Sequence, residues 1–267
     1  MKNNLSQVVV ITGASSGIGL LTARLFATHG YCVYDLSRKG TPSADLHHID
    51  CDVTHAAQCE QAIEQVVSEC GKIDILICNA GMGISGAVEF TTDDDAHRQM
   101  EVNFFGIVNI IKPALPIMRA AHSGRILLVS SLAAAFSIPF QAHYSASKAA
   151  VNALALALRN ELHDFGIKVS CLMPGDANTG FTQARHKSNC GSNIYLRMHQ
   201  AVNVMEQDEA HGTQPQHLAQ QLFRMARAKR LKACYTVGMG YKVLLLLARF
   251  MPTALANWIV GKKYGVR

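Results

Sequence analysis

The stretch Thr12-Gly13-Ala14-Ser15-Ser16-Gly17-Ile18-Gly19 decides the fold of this chain of 267 residues. It directly follows Val8–Thr12, an apolar, β-branched run that predicts a buried strand, and a helix is expected to begin at about Gly17. In such a connection Gly13 permits a tight turn, and Gly17 lets the backbone approach a phosphate. Gly19 lets the helix pack closely against the strand.

The start of the predicted helix favours an anion-binding site. Its unpaired N–H groups and the positive end of its dipole would face a pyrophosphate held over Ser15, Ser16 and Ile18. Glycines also close ordinary turns, but here a strand precedes the glycines and a helix follows them. We therefore interpret this turn as the phosphate-binding element of a dinucleotide site.

Strands and helices continue to alternate after this turn. Continuous apolar strands between helices are typical of a parallel sheet covered on both faces, and right-handed crossovers make it a doubly wound α/β fold. No repeat or long linker divides the chain, so residues 1–267 are expected to form one domain, with 180–212 as a strand-free segment that covers the substrate. The further predicted strands are Tyr31–Leu36, His47–Asp50, Ile73–Cys78, Arg125–Ser130 and Lys168–Met173, and the predicted helices are Gly17–His29, Ala56–Cys70, Asp93–Ala120 and His143–Phe165.

The composition is that of a globular protein, with 49% hydrophobic and 16% charged residues. The cysteines include no C-x-x-C pair and no closed set of metal ligands is evident, so we expect reduced thiols and no metal. The polar start, Met1–Gln7, and the short apolar run behind it do not resemble a signal peptide, which predicts a cytoplasmic protein.

The net charge is −4 over residues 1–209 and +10 over residues 210–267. Because the excess belongs to the tail, nucleic-acid binding is not indicated.

A second motif, Tyr144-Ser145-Ala146-Ser147-Lys148, opens the second long helix. Its first and last residues are four apart and share one helix face, so the phenol and the ammonium are neighbours. The cation is expected to lower the pKa of Tyr144 toward the working pH, which suits a residue that exchanges a proton with an alkoxide. Ser130 and Ser131 end the fifth strand, at the edge of the sheet where ligands bind, and either could face the reacting oxygen.

Together these motifs resemble the short-chain dehydrogenase/reductase family, in its short single-domain form, over about residues 7–180. The resemblance implies a Rossmann-like fold, a nicotinamide cofactor and the interconversion of a carbonyl and an alcohol. The matching elements are T-G-x-x-x-G-I-G from Thr12 to Gly19, N-A-G at Asn79-Ala80-Gly81, the helix asparagine Asn103, the serine Ser131, Y-x-x-x-K from Tyr144 to Lys148, and P-G at Pro174-Gly175 with Thr179.

The resemblance also implies a role for each matched residue. Tyr144 would protonate the carbonyl oxygen, Ser131 would hydrogen-bond that oxygen, and Lys148 would bind the nicotinamide ribose. Asn103 would hold a water linked to Lys148. Ser131 fits the serine position better than Ser130, because the family places its serine thirteen residues before the tyrosine. The cofactor would also contact Asp52 and Val53 at the adenine, Asn79, Ala80 and Gly81 on the adenosine side, and Pro174, Gly175, Ala177 and Thr179, the last at the carboxamide.

Residues at the end of the second strand favour NADP(H) over NAD(H). Family members that use NAD usually carry an acid at this position, where this chain has Ser37 followed by Arg38. An arginine beside a small hydroxyl residue suits a 2′-phosphate, because charge-assisted hydrogen bonds to phosphate are short and strong. Asp35, on the same strand face as Ser37, leaves NAD(H) as the alternative.

The sequence therefore predicts an NADP(H)-dependent oxidoreductase that interconverts a ketone or aldehyde and an alcohol, with a lipophilic substrate. The alternative is a catalytically silent dinucleotide sensor or scaffold of the same fold, and the presence of Asn103, Ser131, Tyr144 and Lys148 favours the enzyme. In the family the two long helices pair across a two-fold axis, which predicts a homodimer or homotetramer.

The tail is predicted to form a C-terminal apolar and basic helix over residues 241–267. Arg249 and Pro252 interrupt the apolar run, so it is too short to span a membrane. Two interpretations remain open. The tail either packs as a pair of helices over the substrate cleft or a neighbouring subunit, or it dips leucines and Trp258 into a bilayer while its basic residues meet anionic headgroups.

Overall fold

A seven-stranded parallel sheet lies at the centre of the protein, as the alternation of strands and helices predicts. The structure is a computed structural model that describes residues 6–40 and 45–267, so most of the polar start of the chain lies outside the described residues. The strands are β1 (Val8–Thr12), β2 (Cys32–Ser37), β3 (His47–Asp50), β4 (Ile75–Cys78), β5 (Ile84–Ser85), β6 (Gly124–Val129), β7 (Ile167–Leu172), β8 (His186–Lys187) and β9 (Cys234–Tyr235).

The order of the strands places a crevice beside β1. The central sheet runs β3-β2-β1-β4-β6-β7-β9, so the chain moves outward in one direction from β1 to β3 and in the other from β4 onward. Connections leave β1 and β4 in opposite directions at this switch point, and ligands of such sheets bind there, outside the carboxyl ends of the strands. The glycine turn that follows Thr12 lies at this position.

Helices cover both faces of the sheet. Val8 and Val10 of β1 join a core cluster with α2, α4 and α5, whereas Val9 and Ile11 join a second cluster with α1 and α8. Alternate residues of one strand are thus buried on opposite faces, which explains why its sequence is continuously apolar. The helices are α1 (Gly17–Ala27), α2 (Ala56–Cys70), α3 (Asp93–Met100), α4 (Gly106–Ala120), α5 (Ala142–Glu161), α6 (Phe181–Ala184), α7 (Met198–Ala210), α8 (Pro215–Arg227), α9 (Met239–Ala248) and α10 (Thr253–Lys263).

The predicted helix Asp93–Ala120 departs from regular geometry at its centre. One π-helical turn, Glu101–Phe105, separates α3 from α4. Such a turn adds a residue to the helix and often marks a functional site, and here it carries Asn103. Hydrophobic periodicity does not reveal it, because the helix continues in nearly the same direction on both sides.

One prediction about the second half of the chain is wrong. The segment 180–212 is not strand-free, because β8 pairs in parallel with β5 at Ile84 and Ser85. The tail is a pair of helices, as its packed interpretation predicts, and α9 ends before Pro252, whose ring fixes its φ and which has no N–H to continue the helix. Strand β9, which extends the sheet beyond β7, was also missed, because a two-residue strand carries no periodicity.

Candidate active site

Hydrogen bonds to both neighbouring strands hold the glycine turn. Gly13 N donates to Leu36 O at 2.8 Å, and Asn79 Nδ2 donates to Gly13 O at 3.0 Å. The φ angles of Gly13 and Gly17 are +68° and +54°, in the left-handed region that favours glycine. A Cβ on Gly17 would project into open space, whereas one on Gly19 would overlap Gly13 and Asn79. Gly17 therefore leaves a cradle for a phosphate, and Gly19 permits close packing.

A cavity of about 1150 Å³ lies at the carboxyl ends of the strands. Pockets for one small ligand usually measure about 300–1,000 Å³, so there is room here for a dinucleotide together with a substrate. Two predicted site residues, Gly19 and Asn103, do not line the cavity. The predicted residues that do are Gly13, Ser15, Ser16, Gly17, Ile18, Ser37, Arg38, Asp52, Val53, Asn79, Ala80, Gly81, Ser131, Tyr144, Lys148, Pro174, Gly175, Ala177 and Thr179.

Asp35 is the acid that makes NAD(H) the alternative cofactor, and its carboxylate is hydrogen-bonded within the protein. Its Oδ1 accepts from Ala14 N at 2.9 Å, and its Oδ2 accepts from Ser37 Oγ at 2.8 Å and contacts His48 Nδ1 at 3.1 Å. The residue is 5% exposed. Asp35 therefore braces the glycine turn and does not face the cavity. Ser37 lines the cavity, but its hydroxyl proton is directed to Asp35 rather than outward.

The catalytic helix brings Tyr144, Ser131 and Lys148 together at the cavity wall. Ser131 lies two positions after the end of β6 and near enough to Tyr144 to lower the pKa of its phenol, while its Oγ accepts from Ala133 N at 3.1 Å. The neighbouring Ser130 points elsewhere, since its buried hydroxyl donates to Lys148 O at 3.0 Å. Of the two serines, the structure therefore turns Ser131 toward the tyrosine.

The expectation that Lys148 lowers the pKa of Tyr144 is wrong for this structure. Burial raises the pKa of Tyr144 to about 12, and the hydrogen bond from Ser131 offsets this only in part. Lys148 Nζ donates to Val129 O at 3.0 Å and lies 5.7 Å from the centre of the tyrosine ring. The phenol is therefore held protonated, which is the state that a proton donor needs. Burial also lowers the pKa of Lys148, to about 8.

Asn103 is fully buried next to the catalytic residues and does not line the cavity. Its Nδ2 donates to Met82 O and to Ser147 Oγ, both at 3.0 Å, and its Oδ1 accepts from Met82 N at 2.8 Å. The side chain thus joins the π-helical turn to the catalytic helix and to the segment after β4. These contacts use both amide hydrogens, so the amide group positions its neighbours.

Residues that the sequence did not single out complete the cavity. Gln141 lies in the turn before Tyr144, and Asp176 directly follows Gly175. The catalytic end is closed by Phe181, whose ring centre lies 5.7 Å from that of Tyr144. Tail residues also line the cavity, and these are Tyr241, Leu244, Met251, Ala256, Ile259, Val260, Lys263 and Tyr264.

The segment 180–212 is joined to the tail by charged contacts. The buried guanidinium of Arg185 pairs with Glu209 of α7 and lies 5.6 Å from the Phe181 ring. Asp208, next to Glu209, pairs with Lys263 of α10 at 2.9 Å. These contacts hold α6, α7 and α10 together over the cavity, and no periodicity in the sequence predicts them.

Comparisons with known proteins agree with this arrangement. Residues 7–189 match the family model described as short chain dehydrogenase. The chain belongs to the short-chain dehydrogenase/reductase family. It is accordingly an NAD(P)-dependent oxidoreductase with a single-domain, Rossmann-like fold.

Three known proteins illustrate the likeness. A 3-ketodihydrosphingosine reductase of Bacteroides thetaiotaomicron is 39% identical over 98% of this chain and 99% of its own. A short-chain dehydrogenase of Streptomyces avermitilis has a TM-score of 0.83 at 25% identity, over 97% of both chains. A 3-ketoacyl-(acyl-carrier-protein) reductase of Brucella melitensis, solved with NADH, has a TM-score of 0.73 at 25% identity, over 87% of this chain and 97% of its own.

The buried ammonium of Lys148 gives a pH-dependent prediction. Its pKa in the folded protein, about 8, lies below the ordinary lysine value of 10.5, so between these values the unfolded chain binds more protons than the folded one. We expect the free energy of unfolding, relative to that of Lys148→Met, to rise by about 3 kcal/mol between pH 8 and 10.5, at 1.36 kcal/mol per pKa unit.

Urea unfolding of both proteins across this pH range measures the difference. Lys112→Met is the matched control, because Lys112 is exposed on α4 and should show no such rise. A pH-independent difference between the parent and Lys148→Met would contradict the buried-ammonium interpretation.

Proposed function

We propose that this protein uses NADPH to reduce the ketone of a lipophilic substrate to a secondary alcohol. The observation that carries the proposal is that Tyr144, Ser131 and Lys148 lie together on the wall of a cavity that apolar residues of the tail also line. The 39% identity to a 3-ketodihydrosphingosine reductase supports a long-chain substrate of this kind. The described residues contain no helix long and apolar enough to cross a membrane.

The residues present fit a nicotinamide dinucleotide. The glycine turn offers a cradle that a Cβ at Gly17 would fill, and a Cβ at Gly81 would approach Asn103 Oδ1 and Lys148 Nζ. When bound, the cofactor supplies a hydride to the carbonyl carbon. Lys148 would hold the ribose, while the adenosine end would lie between Asp52 and the Asn79–Gly81 segment.

Tyr144 acts on the oxygen of the same carbonyl. Its phenol donates a proton as negative charge develops there, and the Ser131 hydroxyl stabilises that charge by a hydrogen bond. Because burial keeps the pKa of Tyr144 high, the proton is in place before the reaction starts. The phenol is therefore in the form that reduction of the carbonyl requires.

Two features support a preference for NADPH. Asp35, the acid that could bind ribose hydroxyls, is occupied by Ala14, Ser37 and His48. Arg38 and Lys39 line the cavity just beyond β2, where they would meet a 2′-phosphate. Their positive charge has no counterpart in the ribose of NADH.

Arg38→Ala should weaken NADPH binding and spare NADH. A charge-assisted hydrogen bond contributes about 1.5–3 kcal/mol, which corresponds to roughly ten- to a hundredfold in affinity. Fluorescence titration of both cofactors measures the effect, and Arg24→Ala on the remote part of α1 is the matched control. Equal weakening of NADH and NADPH would show that Arg38 does not bind the 2′-phosphate.

The central test of the proposed function uses 3-ketodihydrosphingosine as substrate. We expect NADPH-dependent reduction by the parent protein and a loss of at least ~10²-fold in kcat with Tyr144→Phe, the usual contribution of a positioned general acid. NADPH affinity should change little, because the phenol faces the substrate oxygen. Absence of reduction by the parent, or equal rates in parent and variant, would overturn the proposal.

Tyr31→Phe is the matched control for this substitution. Tyr31 packs against Phe26 in the cluster on the other face of the sheet, with ring centres 5.0 Å apart. Its substitution should leave turnover at the parent level. A similar loss in both variants would point to a general effect on folding rather than to proton donation.

We also propose that the protein is a cytoplasmic homodimer or homotetramer. Ala149, Ala153 and Ala157 are exposed along one stripe of α5, and Leu156 beside them is also exposed. Small residues let helices of two subunits approach closely, and isologous contacts of this kind close on a two-fold axis. Ala155 of the same helix is buried in the protein's own core.

The tail supports peripheral contact with a membrane as part of the same function. Large apolar side chains on α9, α10 and the turn between them are exposed, with Phe250 at 82% and Leu246 at 56%. Leu244 and Ile259 are exposed and also line the cavity, so the cavity opens on this surface. Residues 210–267 contain no acid, which suits anionic headgroups. A lipophilic ketone could pass from the bilayer to the cavity here.

Co-sedimentation with vesicles tests membrane contact. The full chain should bind anionic vesicles in a salt-sensitive manner and neutral vesicles weakly. Leu246→Ser with Phe250→Ser should reduce binding, whereas Val88→Ser, at an exposed apolar position far from the tail in sequence, should not. The absence of binding to anionic vesicles would leave the tail as a cover of the cavity alone.

A further inference from the structure

Next to Gly175, the wall of the cavity carries a carboxylate that has no cationic partner among the described residues. Asp176 follows β7 by four positions and is half-buried on the cavity wall. Its Oδ2 accepts from Tyr241 OH at 2.8 Å, and its backbone N–H donates to the same phenol oxygen at 3.2 Å. A neutral phenol does not balance the charge of the carboxylate.

Neighbouring carboxylates are already paired within the protein. Glu209 binds Arg185, and Asp208 binds Lys263 at 2.9 Å. These two acids and Asp176 lie close enough to Tyr264 that, together with burial, they raise its pKa. Of the three carboxylates around this phenol, Asp176 is thus the one whose charge is not compensated by a side chain in the described part of the chain.

A second polar group in the cavity wall also lacks a partner. Gln141 lies in the turn directly before Tyr144 and is 3% exposed. Its Nε2 is buried and makes no hydrogen bond within the described structure. A buried amide without a partner costs about 1–3 kcal/mol, so such a group in a cavity wall indicates a ligand that completes it.

Apolar side chains line much of the remaining substrate space. Phe181 and Ala184 line the cavity near Tyr144, and Leu244, Met251 and Ile259 line it toward the tail. A ligand that matches this distribution has a polar head beside Tyr144 and an aliphatic chain that extends between α9 and α10.

We propose that Asp176 binds a cationic amine on the substrate, close to the carbonyl that is reduced, as in a long-chain 2-amino ketone. This inference rests on the proposed function and names the part of the substrate that the site selects. An ammonium–carboxylate hydrogen bond is charge-assisted, and its strength increases in a cavity that excludes water. The amide of Gln141 would bind a further polar group of the head, such as a hydroxyl.

The test compares two ketones of equal chain length with NADPH. One is 3-ketodihydrosphingosine, and the other is its analogue in which hydrogen replaces the amine. The parent should have a higher kcat/KM for the amino ketone, by roughly ten- to a hundredfold, the factor expected of a hydrogen bond to a charged group. Asp176→Asn, which keeps an oxygen to accept from Tyr241, should remove most of this preference.

Asp208→Asn is the matched control. It removes an adjacent carboxylate that is already paired with Lys263, so the preference for the amino ketone should persist. NADPH affinity is measured in every variant, because Asp176 also lies next to the residues expected at the nicotinamide. A weakened NADPH affinity in Asp176→Asn would assign the carboxylate to the cofactor and overturn the proposal.

The remaining outcomes separate this inference from the proposed function. If the parent reduces both ketones equally well, or Asp176→Asn lowers kcat/KM equally for both, amine recognition by Asp176 is wrong while ketone reduction stands. If the parent reduces neither ketone, the proposed function fails first. Amine preference that is lost only in Asp176→Asn supports the assignment.

Discussion

The site depends on the hydrogen bonds that fix the glycine turn to the two strands beside β1. Asp35 of β2 accepts from Ala14 N, while Asn79 after β4 donates to Gly13 O. Two parallel strands on opposite sides of the turn thus determine where the N-terminus of α1 points. Because phosphate binding relies on the direction of those N–H groups, a shift of either strand would move the cofactor relative to Tyr144. The rigid sheet therefore sets the geometry of the reaction.

Burial has opposite consequences for the two titrating residues at the catalytic end. It keeps Tyr144 protonated and ready to donate, but it disfavours the charged form of Lys148. The Lys148 ammonium is stabilised by Val129 O, and its helix is connected to the sheet edge through Ser130 and to the π-helical turn through Asn103. A cofactor that brings polar groups to Lys148 would relieve part of this cost. The free energy that burial of Lys148 costs the fold would thus be recovered in part as affinity for the cofactor.

Much of the fold, but only part of the site, could be predicted from the sequence. Strand β1 and helix α2 begin and end where the pattern places them, because β1 is a continuous apolar run and α2 is amphipathic. The hydrogen bonding of the Asp35 carboxylate within the protein could not be predicted, since it involves His48 of an adjacent strand. The pKa of Tyr144 was predicted in the wrong direction, because helix spacing gives proximity to a cation but not burial. Asp176 was missed because its partner, Tyr241, is 65 residues away.

The charge asymmetry of the chain has a structural counterpart at the cavity. Part of the positive tail meets acids of the earlier, negative region, as when Lys263 of α10 binds Asp208 of α7. This pairing brings α10 over the cavity and places Tyr264 next to three carboxylates. Other basic residues, including Lys242 and Arg249, remain exposed beside the apolar surface of the tail. The same segment therefore closes the substrate end through its ion pairs, while its outer face carries the apolar and basic groups that suit a lipid surface. The apolar residues of α9 and α10 thus lie where the cavity opens, whereas its polar residues surround Tyr144.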